Sequence, residues 1–131
     1  IRIQTDIKNK YFVSFFTKSI SLLYYFLNFI IENTEGPSVN INLFKSKELR
    51  KEAFGRLNIK TEKDMDNRIK ALVGALNTLS DKILEMRNSQ GDAHAHGSNR
   101  IVIKEEEAIL VANSSMVLCE YLFTKYKGLN R

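Results

Sequence analysis

The chain has 131 residues, 44% of them apolar and 27% charged, with a formal net charge of +5. Such a length supports one domain with its own core, and such a composition is ordinary for a soluble globular protein. The single Cys119 excludes an internal disulfide and a cysteine-rich zinc site, and fits a reducing, cytoplasmic setting.

One proline and six glycines leave long uninterrupted stretches, which argues against a turn-rich sandwich. The chain begins at Ile1 rather than Met, so we expect it to be a piece of a longer protein with a further domain on its N-terminal side. No signal peptide is recognisable, because a cleavage site of small residues is missing. Residues 1–17 read as a linker or an N-terminal helix extension, and residues 18–131 as the domain proper.

Residues 11–33 are the most apolar region. Ile20, Leu23, Tyr24, Leu27, Ile30 and Ile31 recur at helical spacing. Phe16, Leu22, Tyr25, Phe26 and Phe29 cover much of the remaining circumference. The stretch is about as long as a membrane span, but Lys18 is costly in lipid. We expect a core helix that also contributes to an interface, and no membrane partner.

Glu35-Gly36-Pro37-Ser38 is a break, followed by an extended connector at 39–42. Leu43 to Leu57 reads as a helix, with Leu43 or Phe44, then Leu49, Ala53, Phe54 and Leu57 facing inward. Lys45, Lys47, Arg50, Lys51 and Arg56 are expected on its outer face, the first four as candidate RNA contacts. Thr61 is a candidate N-cap, with Glu62 and Asp64 in the first turn of a long helix. Its stripe is Met65, Ile69, Leu72, Val73, Leu76, Leu79, Ile83 and Met86. Arg87 lies four residues after Ile83 and so continues the inward side, where an arginine needs an anion or a cleft.

Arg100 follows in the connection to the last helix and is a further candidate RNA contact. Lys104 to Glu107 reads as that helix's first turn. Ala108, Ala112, Ser115, Cys119, Leu122 and Tyr126 form its inner stripe, and Gly128 ends it. The total is an all-α fold, an antiparallel four-helix bundle.

The chemistry concentrates in residues 87–97, Arg-Asn-Ser-Gln-Gly-Asp-Ala-His-Ala-His-Gly, which hold both histidines of the chain. Histidine serves as general acid or base near neutral pH, and arginine grips two phosphate oxygens at once. Arg87, His94, His96, Asn88 and Asp92 are therefore the candidate catalytic residues, a set suited to moving a proton beside a held phosphate. No carboxylate cluster suggests a Mg²⁺ site, and neither metal nor cofactor is expected. Each residue also has a plainer role: Arg87 paired with Asp92 as a staple, Asn88 ending a helix, the histidines solvated, and the basic helix simply a solvated face.

An Arg-Asn at a helix end, then Gly-Asp-Ala-His, then His-Gly resembles the signature of the abortive-infection C-terminal family, placed near the HEPN superfamily of helical ribonucleases. The likeness extends over roughly residues 18–127. His94 has the spacing from Arg87 of the HEPN pattern, and His96 has the glycine neighbour of the abortive-infection pattern, so both stay open. The resemblance implies a phage-defence endoribonuclease, with RNA as substrate and a homodimer or higher oligomer whose paired motifs form one cleft. The alternative is a non-catalytic module of the same fold that dimerises or binds nucleotide and regulates another domain.

Overall fold

The computed structural model describes residues 2–93 and 103–129, with the backbone alone at 2–10, 12 and 88–93. The helices are α1 (Arg2–Glu32), α2 (Ser46–Arg56), α3 (Asn67–Ala93) and α4 (Glu105–Gly128), with a 3₁₀ turn at Ile41–Leu43 before α2. Among the described residues there is no strand.

α1 packs against all three other helices. Phe16, Ile20, Leu23, Leu27 and Ile30 are fully enclosed at its inner face. Its Val13–Glu32 segment is long and apolar enough to cross a membrane, yet that inner face is the centre of the core. α1 and α4 run side by side in the same direction, because Phe26 meets Phe123 and Phe29 meets Tyr126 in order. α3 runs the other way, carrying Asp81 to Arg50 and then Arg87 back to Tyr24.

The inner stripe of α4 lies where its spacing predicts, with Ala108, Ala112, Ser115 and Leu122 buried, joined by Val111 and Leu118. Lys104 N–H donates to the Glu107 carboxylate at 3.0 Å, which satisfies one donor at the helix start.

Three expectations about α3 change. α3 begins at Asn67 rather than near Thr61, because the Asp66 carboxylate accepts from Arg68 N–H at 2.8 Å and caps the helix there. Residues 62–65 are a turn, closed by Met65 N–H on the Glu62 carbonyl. The inward stripe of α3 is also rotated: Ile69, Leu72 and Leu79 are exposed, while Val73, Ser80, Ile83 and Leu84 are buried. The pairing of Asp81 with Arg50 fixes that rotation. Finally, α3 does not stop at Asn88 but continues to Ala93, so Gly91 is a helical residue and not a turn.

α2 is anchored by its two arginines, neither of which lies on the outer face. Arg50, 8% exposed, donates from Nε and Nη2 to the two oxygens of Asp81 at 2.8 and 2.9 Å. Arg56 donates to the Glu52 carboxylate and to the carbonyls of Ile31, Thr34 and Pro37, clamping α2 to the chain leaving α1. α2 ends on Asn58 in the left-handed region (φ 58°). Ile59 N–H bonds the Phe54 carbonyl and Asn58 N–H the Gly55 carbonyl, a Schellman closure.

Candidate functional site

The inward drift of α3 places Arg87 as its periodicity requires, one turn beyond the buried Ile83 and beside the buried Leu84. The guanidinium carbon stands 3.7 Å from the centroid of the Tyr24 ring on α1. This stacking engages the flat face of the guanidinium, whose N–H donors lie in the plane and form the edge that pairs with phosphate oxygens.

Arg87 and Tyr24 line a small recess of about 100 Å³ together with Phe44, Lys45, Ser46, Leu49 and Leu84. Phe44 rather than Leu43 turns inward, since Leu43 is 76% exposed while Phe44 packs on the core. Lys45 is the residue before α2, and Ser46 begins it. Two cations from distant parts of the sequence therefore border one recess, at a helix start where backbone N–H groups lack intrahelical partners. A cationic pair at a helix N-terminus is an arrangement suited to an oxyanion.

The other sequence candidates separate. Lys47 and Lys51 are exposed on α2. Arg50 was expected among the RNA contacts on the outer face, but it is enclosed between α2 and α3. Both its Nε and its Nη2 are engaged by Asp81, and its guanidinium lies 5.8 Å from the Phe54 ring centroid. Asn88 and Asp92 belong to the last turns of α3, at backbone positions only. His94, His96 and Arg100 lie outside the described residues. Tyr24 is the member of the site that spacing did not single out, because an aromatic at a core-facing position reads as core.

Cys119 is half-buried, and burial pushes its thiol up to about 11, which suits a packing residue and not a nucleophile. Among the described residues, no group of three or more His, Cys, Asp or Glu side chains is placed to hold a metal ion.

The described residues form an all-α bundle in which Arg87 and Lys45 border one recess. Residues 1–126 match the model of the Abi_C family, described as a HEPN-like domain, and the chain belongs to that family. No curated protein and no solved structure matches the chain.

Proposed function

We propose that this domain is a metal-independent endoribonuclease of abortive-infection type. Arg87 holds the scissile phosphate, and His94 or His96 moves the proton. The observation that supports it most is Arg87 stacked on Tyr24 beside Lys45 at the start of α2. Stacking presets the guanidinium plane, so less side-chain freedom is lost when phosphate binds. The family resemblance supplies the histidine partner and the phage-defence setting, in the cytoplasm.

A single Arg and His make a sparse site, and we infer that two copies pair to complete it. α1 supports this reading: Leu22 (50% exposed), Tyr25 (63%) and Phe29 (43%) form an outward apolar face away from the core. Tyr25 stands 5.7 Å, centroid to centroid, from Tyr24, which lines the arginine recess. Pairing across that face brings two such recesses near one seam.

The test is cleavage of single-stranded RNA in EDTA. The expected products carry a 2′,3′-cyclic phosphate and a 5′-hydroxyl. Arg87→Ala abolishes cleavage with the helical spectrum and oligomeric state unchanged, and separate His94→Ala and His96→Ala variants identify the proton carrier. Full activity in all three variants rejects the catalytic reading and leaves the regulatory module.

A further inference from the structure

α1 and α4 carry two apolar stripes of the same period. Phe15, Leu22 and Phe29 follow at seven-residue intervals on α1, and Ile109, Met116 and Phe123 do so on α4. Each of the six is between 41% and 52% exposed. The two helices run in parallel, with Phe26 on Phe123 and Phe29 on Tyr126. That register fixes how the stripes interleave. Ile109, Met116 and Phe123 stand level with residues 12, 19 and 26 of α1, so apolar side chains alternate between the helices every three or four residues. They form one ladder about 25 Å long on the open side of the α1–α4 seam.

Half of six large side chains is on the order of 500 Å², already at the upper end of the patches that a monomer exposes. Tyr25, beside the α1 stripe and 63% exposed, and the polar rim extend it toward the roughly 800 Å² per partner of a standard stable interface. A strict seven-residue apolar repeat is what a helix carries when it faces another helix.

We propose that a second copy of the chain docks on this two-helix face, with the two-fold axis along the helices, so that α1 of each copy lies against α4 of the other. The proposal rests on the pairing inferred above and adds α4 and the orientation to it. Charge selects the axis. Lys18, three residues after Phe15 and four before Leu22, edges the α1 stripe on the side away from Phe26. Glu120, four residues after Met116 and three before Phe123, edges the α4 stripe on the side away from Tyr126. Both are exposed, and among the described residues neither makes an ion pair. Lys127, past the end of the α4 stripe, is engaged over the Phe123 ring at 4.8 Å. The middle of the face therefore has a cation on one rim and an anion on the other. An axis along the helices sets Lys18 beside Glu120 of the partner subunit, twice by symmetry. An axis across them sets Lys18 beside its own copy, which like-charge repulsion disfavours.

Sedimentation of the parent and of Met116→Arg, with circular dichroism of both, tests the face. The parent should be a dimer, and the variant a monomer with an unchanged helical spectrum. Charge exchange tests the orientation and does not depend on that variant folding. Lys18→Glu and Glu120→Lys should each weaken self-association about tenfold, because two attractive rim contacts become repulsive. An equimolar mixture of the two variants should recover the parent's affinity, since each copy then offers the charge that the other lacks. A dimer that Met116→Arg leaves intact, or single charge variants that associate as the parent does, overturns this face and leaves pairing through another surface. Weakening that the mixture does not relieve overturns the orientation. A parent that stays monomeric at high concentration overturns the proposal and the pairing reading together, and leaves the face to a different partner.

Discussion

Replacing Arg50 by Met or Asp81 by Leu should each destabilise the fold by much more than a surface ion pair would. Exposed pairs contribute about 0–1 kcal/mol, whereas breaking a buried pair costs about 3–5 kcal/mol, because one charge stays enclosed without its partner. This pair is bidentate, and its side chains are only 10% and 18% exposed. Partial hydration of Asp81 moves the expected loss slightly below the buried range, to about 2.5 kcal/mol per single variant. The double variant leaves no orphan charge and should lose about 2 kcal/mol, mostly the contact of Arg50 with Phe54 and altered packing. The two single losses then exceed the double by about 3 kcal/mol, the coupling energy of the pair. Urea unfolding of the four proteins, followed by far-ultraviolet circular dichroism, measures it. Additive losses, or single losses under about 0.5 kcal/mol, would refute the argument that this contact fixes the rotation of α3.

Asn58→Ala should cost about 1 kcal/mol, since alanine tolerates the left-handed region poorly, while Asn58→Gly should not; equal losses in denaturant unfolding would assign the effect to the amide side chain instead. Gly36→Ala would place a Cβ 2.9 Å from the Arg56 guanidinium carbon, which four acceptor groups hold in place, and should cost about 1–3 kcal/mol; an unchanged thermal midpoint would count against a rigid clamp. Cys119, raised from 9.0 to about 11 by burial, should react with iodoacetamide at pH 8 about a hundredfold more slowly in the folded chain than in the unfolded one. Because its folded pKa is the higher, the stabilising contribution of the neutral thiol is complete below pH 9 and fades between pH 9 and about pH 11. A folded chain alkylated as fast as the unfolded one would show the thiol is not desolvated.

The helices that pack on several sides were the most legible. α1 and α4 have periodic apolar faces whose inner sets, such as Ile20, Leu23 and Leu27, match their burial. α3 was less so, since its apolar residues outnumber the positions its neighbours can cover, and an ion pair chose between two nearly equal faces. Arg50 misled for a related reason. A basic run on a short helix reads as solvated, and its partner Asp81 is 31 residues away. The inward turn of Arg87 followed from Ile83 alone, but its meeting with Lys45 is tertiary and has no local signature.

The Arg56 clamp bears on how tightly anything can bind along α1. By fastening the carbonyls of Ile31, Thr34 and Pro37 to α2, it fixes where the connector departs before any ligand arrives. A wall built from an unfastened loop has to be ordered on binding, at about 0.5–1.5 kcal/mol for each immobilised rotamer-rich side chain. With the connector tethered, that ordering cost is already met in the folded chain, and weakening the tether should lower affinity for whatever rests against the connector.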